Sequence, residues 1–139
     1  MLVTSPVDLI KLHETLRLKP YVDTTGHLTI GWGYNLEQGL PLDICETLLE
    51  RTFTIALVEA RAFPWYHPLN TPRKAVILDM LYNLGLSKFR GFAKMRAALD
   101  AGDTDVAAEE MLNSKWAGQV GQRAHRLNLM MRSGEWPAV

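Results

Sequence analysis

Apolar residues recur every three or four positions through most of the chain after Pro41, and this periodicity is what most constrains the fold. Between residues 42 and 60 it places one apolar stripe on a helix of about five turns. Residues 75–84 are apolar except for Asp79 and Asn83, which predicts a helix buried at the centre of a bundle. Caps and glycines predict the other boundaries. One helix should begin at Thr71-Pro72, with Thr71 as cap, and end at Gly85; further helices should cover residues 92–101, 104–113 (with Thr104 as cap) and 122–133.

The region before Pro41 differs in pattern. Ser5-Pro6 predicts a helix start, with Ser5 as N-cap, and that helix should run to about Glu14. Residues 18–35 then contain β-favouring side chains around a turn at Asp23–Gly26, and no other segment favours β-structure as strongly. The sequence therefore predicts a mostly helical α+β protein with one small β-hairpin region.

The bulk composition fits one globular domain. The chain has 139 residues, of which 47% are hydrophobic, enough for a real core. Its single cysteine, Cys45, excludes an internal disulfide, and its apolar neighbours predict a small buried side chain. Because tryptophan is usually mostly buried, we expect three tryptophans to pack in the core or in a lid rather than to stack on sugars: Trp65, Trp116 and Trp136.

The net charge is zero, but the charges are unevenly distributed. Residues 61–96 carry seven basic groups and one acidic group, which could attract an anionic polymer. No motif for nucleic-acid recognition and no Cys/His spacing for zinc accompanies them, so we expect neither nucleic acid, nor a metal, nor another cofactor.

The first twelve residues resemble neither a signal peptide nor a membrane anchor, because Asp8 and Lys11 interrupt their apolar residues. No window elsewhere reaches the length of a spanning helix. We therefore expect a chain made in the cytoplasm without stable membrane insertion. We also expect it to be a monomer. A substrate outside the membrane would require a separate route across it.

Two carboxylates nine residues apart are the strongest candidates for chemistry. Glu14 should lie at the C-terminal end of the first helix and Asp23 at the turn of the hairpin. The hairpin could therefore fold back so that the two carboxylates face each other. Glycoside hydrolysis needs one protonated carboxyl and one ionised carboxylate. A Glu beside apolar walls would have a raised pKa, whereas an Asp on an open polar turn would stay charged.

Thr29 follows on the returning strand and could orient an attacking water molecule. Spacing alone is weak support, because carboxylates at this separation are usually solvated surface groups. The full string is more specific: Glu14-Thr-Leu-Arg-Leu-Lys, then Tyr-Val-Asp23-Thr-Thr-Gly, then His-Leu-Thr29-Ile-Gly-Trp-Gly. It resembles the phage-type lysozymes, the family of the T-even phage lysozyme. The resemblance assigns catalysis to Glu14, Asp23 and Thr29.

The resemblance extends through the helical region and implies further roles. It makes Arg123 a buried ion-pair partner of Glu14, and it places Asn83 and Ser114 where sugar or peptide groups lie. The residues alone leave other readings open: a surface charge for Arg123, a buried polar group for Asn83, and a helix cap for Ser114.

This chain also departs from larger members of that family. The segment between Asn35 and Pro41 is much shorter, so part of the wall of the substrate cleft is missing. Tyr34 stands where many relatives have His, and we expect it at the substrate site. Thr52 stands where a carboxylate partner for that His would be, and Asp79 replaces an expected Asn.

The resemblance implies a two-lobed fold in one domain, residues 1–139. A β-bearing lobe with the active-site loop should cover about 14–40, a connecting helix about 41–62, and a helical lobe packed with the N-terminal helix about 63–139.

The resemblance also implies an endolysin. It would hydrolyse the β-1,4 bond between N-acetylmuramic acid and N-acetylglucosamine in peptidoglycan, with inversion, and lyse the host. It would act in the periplasm after a holin or another export route released it. Two alternatives remain: a lytic transglycosylase, which needs a single Glu, and a lysozyme-like module that binds peptidoglycan with little or no activity.

Overall fold

A computed structural model describes residues 2–139 of the chain. Over this range it contains eight α-helices and one small antiparallel sheet, which confirms the predicted mostly helical α+β class. The chain divides into two compact units: unit 1, which ends at Thr47, and unit 2, Leu48–Val139. The division falls inside a long helix, α2 (Leu42–Arg61). No helix within residues 2–139 is long and apolar enough to cross a membrane.

Unit 1 begins with helix α1 (Pro6–His13), as the cap pattern predicts. The Ser5 side chain accepts a hydrogen bond from the backbone N–H of Asp8, and Pro6 occupies the first turn, where its missing N–H has no cost. Glu14 ends the helix with an extended backbone, and its N–H donates to the carbonyl of Ile10 at 2.8 Å. The chain therefore passes from α1 directly into the first strand.

The sheet consists of β1 (Leu16–Val22), β2 (Leu28–Trp32) and β3 (Tyr34–Asn35), paired in that order. Its register places Thr29 opposite both Tyr21 and Asn35. The register of β1 against β2 shifts between Arg17 and Tyr21. A short 3₁₀ helix, Leu36–Gln38, follows β3.

Unit 2 contains the hydrophobic core. Phe89, Ile77, Met80 and Met111 are fully buried, and helices α6 and α8 pack against each other there. Its helices are α3 (Thr71–Leu84), α4 (Leu86–Arg90), α5 (Ala93–Asp100), α6 (Thr104–Leu112), α7 (Lys115–Val120) and α8 (Gln122–Ser133).

The predicted ends of these helices are confirmed where a glycine determines them. Gly85 and Gly134 end α3 and α8 with positive φ values, which a residue with a Cβ adopts only at a cost. Two predicted N-caps are wrong by one residue. Asn70 rather than Thr71 caps α3, and Asp103 rather than Thr104 caps α6, each by accepting a backbone N–H.

The four predictions of burial had mixed outcomes. Trp65 and Trp116 are buried as expected. Trp136 is 61% exposed, so it does not lie in the core, and its packing in a lid stays a prediction. Cys45 is also exposed rather than buried, because it lies in a part of α2 where no side chain before Ala56 is buried.

Candidate functional site

Glu14, Asp23 and Thr29 all belong to unit 1, and the turn between β1 and β2 organises two of them. The Asp23 side chain folds back over this turn. Its Oδ1 accepts hydrogen bonds from the N–H of Thr25 at 2.9 Å, the hydroxyl of Thr25 at 2.9 Å and the N–H of His27 at 2.8 Å. This is the local side-chain to backbone bonding that makes Asp a favoured turn residue.

These hydrogen bonds also stabilise the charged form of Asp23. The N–H of His27, followed by the hydroxyl of Thr25, stabilises the carboxylate and holds the pKa of Asp23 below its ordinary value of 3.8. Asp23 is thus ionised at neutral pH, as the sequence predicted for an open polar turn. Within residues 2–139 no group donates to its second oxygen, Oδ2, which leaves that oxygen available to a substrate or a water molecule.

Thr29 is the one buried residue between 2 and 47, at 2% exposure. It lies in the central strand, and its hydroxyl donates to the carbonyl of His27 at 2.9 Å. With its hydrogen engaged in this way, the hydroxyl oxygen can only accept further hydrogen bonds. Such an acceptor can orient one O–H of a water molecule.

Glu14 approaches the sheet at Gly33, between β2 and β3. A Cβ placed on Gly33 would lie 2.5 Å from Glu14 Oε2 and 2.8 Å from its Cδ. Gly33 also has a φ of +74°, a conformation that disfavours other residues. The carboxylate of Glu14 therefore fits against this backbone only because residue 33 has no side chain.

A cation–π contact links the same elements. Lys11 of α1 places its Nζ 4.5 Å from the centre of the Trp32 ring in β2. Trp32 itself is 43% exposed. Contacts at Trp32 and Gly33 together position α1 and its terminal carboxylate on the end of β2. The Glu14 side chain is exposed, so the expected apolar walls are not present around it within unit 1.

Tyr34 is the fourth site residue predicted in this unit. It pairs with Ile30 in the β2–β3 ladder, and its hydroxyl donates to the carbonyl of Gly39. This bond closes the shortened segment that precedes α2. An assignment of Tyr34 to substrate binding stays a prediction.

The other predicted site residues lie in unit 2. Ser114 caps α7: its Oγ accepts the N–H of Ala117 and donates to the carbonyl of Met111. Asn83 is exposed, and its side-chain oxygen accepts the indole N–H of Trp116 at 2.8 Å. Ser114 and Trp116 line a groove of about 870 Å³. Ser114 therefore acts as a helix cap, which was the second of the two roles open to it from the sequence.

Arg123 forms an ion pair with Asp79. Its Nε lies 2.8 Å from Asp79 Oδ1, and the two side chains are 37% and 38% exposed. Both line a second groove of about 600 Å³, together with the exposed Trp136. The Asp at position 79 thus has an arginine partner, which sequence analysis did not foresee. The predicted pairing of Arg123 with Glu14 stays a prediction.

Comparisons with known proteins agree with the motif. The family described as phage lysozyme matches residues 11–133. Two proteins of Dictyostelium discoideum described as probable T4-type lysozymes 1 and 2 are each 24% identical over 164 residues, an alignment that covers 96% of this chain and 96% of each relative. The pre-baseplate central spike protein Gp5 of Enterobacteria phage T4 is 23% identical over 94% of this chain, which corresponds to 28% of that protein.

Proposed function

Because this chain belongs to the phage lysozyme family, we propose that it hydrolyses peptidoglycan at the β-1,4 bond between N-acetylmuramic acid and N-acetylglucosamine. The family match over residues 11–133 includes all three candidate catalytic residues. Peptidoglycan lies outside the cytoplasmic membrane, so the proposed substrate places the site of action there.

The observation that carries the proposal is the state of the two acidic groups. Asp23 is held as a carboxylate by three donors on Oδ1 and has Oδ2 free of donors from residues 2–139. Glu14, on a separate element, receives no side-chain hydrogen bond within the same described range. Glycoside hydrolysis uses a pair of carboxyl groups of this kind, one held as the carboxylate and the other on a separate element, where we assign it the role of proton donor.

In the proposed reaction Glu14 donates its proton to the glycosidic oxygen as the bond to the anomeric carbon breaks. The ionised Asp23 stabilises the positive charge that develops on the sugar and, as general base, accepts a proton from the attacking water molecule. Thr29 accepts a hydrogen bond from that water through its hydroxyl oxygen. The water adds to the anomeric carbon from the opposite face, which gives inversion and returns a proton to the carboxylate pair.

The experiment compares the wild type with two matched variants on purified sacculi. Glu14→Gln removes the acidic proton at the proposed site, and Glu46→Gln makes the same change on an exposed Glu of α2 in the same unit. Soluble fragments should be released by the wild type and by Glu46→Gln, and not by Glu14→Gln.

Two outcomes would contradict the proposal. If Glu14→Gln released fragments as fast as the wild type, Glu14 would not be the acid. If none of the three proteins released fragments but all bound sacculi, the chain would be a peptidoglycan-binding module instead.

A further inference from the structure

The side chain of His27 is held by Glu37, ten residues further along the chain. His27 Nδ1 lies 2.9 Å from Glu37 Oε2. The second carboxylate oxygen of Glu37 accepts the N–H of Leu28 at 3.4 Å, and the N–H of Glu37 itself donates to the side chain of Asn35 at 2.9 Å. The 3₁₀ helix after β3 is thereby attached to the first residues of β2.

The backbone of the same His27 contacts both Asp23 and Thr29. Its N–H donates to Asp23 Oδ1 at 2.8 Å, and its carbonyl accepts the N–H of Asp23 at 2.9 Å. That carbonyl also accepts the hydroxyl of Thr29 at 2.9 Å. A movement of residue 27 would therefore displace the proposed carboxylate and the proposed water-orienting hydroxyl together.

Two titratable groups face His27 within residues 2–139: Glu37 from the 3₁₀ helix and Asp23 from the turn. The hydrogen bond from His27 to Glu37, then the charge of Glu37 and finally that of Asp23, raise the pKa of His27 above its ordinary value. The same bond lowers the pKa of Glu37. The ion pair is complete at pH values above the lowered pKa of Glu37 and below the ordinary range of histidine, and it is lost as the pH rises through the raised pKa of His27.

We propose that the Glu37–His27 ion pair is a positioning element. While His27 is protonated, the pair keeps the side chains of Asp23 and Thr29 in their reactive geometry. Neither His27 nor Glu37 touches the reacting atoms in this account. The inference rests on the proposed hydrolysis for its effect on rate, but its effect on the geometry of Asp23 and Thr29 can be measured without any activity.

The first measurement is an NMR titration of the wild type. The imidazole signals of His27 should move with a pKa above the ordinary value, and the Asp23 carboxyl and Thr29 amide signals should follow with the same midpoint. In Glu37→Gln, whose amide oxygen can still accept from Leu28, the midpoint of His27 should fall. Glu46→Gln serves as the control, and its midpoint should equal that of the wild type.

The second measurement is the pH profile of kcat/KM on soluble glycan fragments. The profile should fall by a step at the His27 midpoint, in addition to any limb that belongs to the proposed acid, and this step should move in Glu37→Gln by the same number of pH units. His27→Gln can still donate a hydrogen bond to Glu37 but does not titrate, so its profile should lack this step and keep any limb of the proposed acid.

The two measurements separate the two proposals. The positioning role would be overturned, even in an active enzyme, if the Asp23 and Thr29 signals did not change as His27 titrates, or if the step in kcat/KM at the His27 midpoint persisted unchanged in His27→Gln. If the wild type had no activity, the proposed hydrolysis would fail, and the NMR titration alone would still decide whether residue 27 controls the turn.

Discussion

Unit 1 and unit 2 differ in what holds them together. Between residues 2 and 47 only Thr29 is buried, and hydrogen bonds close the turn that carries Asp23, with the His27–Glu37 ion pair beside it. In unit 2, twenty apolar side chains are buried in one cluster. The three residues proposed for catalysis belong to the first unit and the apolar core to the second. Substitutions in the two units should therefore change different properties.

The largest expected effect is on the stability of unit 2. Phe89 has no exposed surface and lies against the rings of Phe63 and Trp65. Phe89→Ala should lower the free energy of unfolding by about 3–5 kcal/mol, because it removes buried apolar surface and leaves a cavity. Urea denaturation measures the change. Phe53→Ala, the same deletion at a side chain that is 43% exposed, should cost clearly less; equal losses would contradict the assignment of the core.

The second effect should appear in activity. Gly33→Ala places a methyl group where the Glu14 carboxylate now lies, so Glu14 must move. We expect a loss of about 100-fold in kcat/KM, the size that follows from a displacement of about 1 Å in a catalytic group. Gly39→Ala is the matched control, because Gly39 also has a positive φ but no atom within 4 Å of a Cβ. Similar activity in both variants would show that the contact with Glu14 does not matter.

A smaller change in stability is expected at a buried polar residue of unit 2. Asn128 is 5% exposed, and its side-chain N–H donates to the carbonyl of Ala108. Asn128→Ala removes this buried hydrogen bond, which should cost about 0.5–1.5 kcal/mol. Thermal unfolding monitored by circular dichroism measures it. The rate of fragment release below the unfolding transition should stay that of the wild type, and a loss of rate there would contradict the separation of the two units.

The smallest effect concerns the pKa of Asp23. Its folded-state pKa lies below the ordinary 3.8, so ionisation favours the folded turn above that pH, and this contribution is lost as the pH falls through the folded-state value. Thr25→Val removes the hydroxyl that donates to Oδ1, so the pKa should rise towards the ordinary value. Carbon NMR of the carboxyl group measures it. Thr24→Val should leave it unchanged, and a matching rise there would rule out the hydroxyl as the cause.

Local chemistry explains which features the sequence could predict. A cap or a positive φ depends only on a few neighbouring residues in the chain. The helix boundaries predicted in this way, at Ser5, Gly85 and Gly134, are confirmed. At the starts of α3 and α6 two adjacent residues can both cap a helix, and the pattern alone could not choose between Asn70 and Thr71.

Features that depend on distant residues were not predicted. Helices α4 and α7 are five and six residues long and have too few turns for a periodic pattern. They bury Phe89 and Trp116 in a core that forms only after folding. The exposure of Trp136 likewise depends on tertiary packing, which the local sequence does not determine.

The site shows the same division. The motif predicted Asp23 and Thr29 at the correct places on the hairpin, because turn and strand propensities are local. The ion pair between His27 and Glu37 was missed, since it requires β2, β3 and the 3₁₀ helix to turn back on one another. Charged residues ten apart give no signal of such a contact. The close approach of Glu14 to Gly33 could have been suspected from the Gly-Trp-Gly run alone.

The most direct test of the central claim is the mass analysis of fragments released from sacculi by the wild type and by Glu14→Gln, with the fold of the variant verified by its thermal unfolding. We predict that the wild type releases fragments that end in reducing muramic acid, each carrying the added water, and that folded Glu14→Gln releases none. Fragments ending in 1,6-anhydromuramic acid, which lack that water, would contradict hydrolysis. Undiminished release by Glu14→Gln would contradict the role of Glu14.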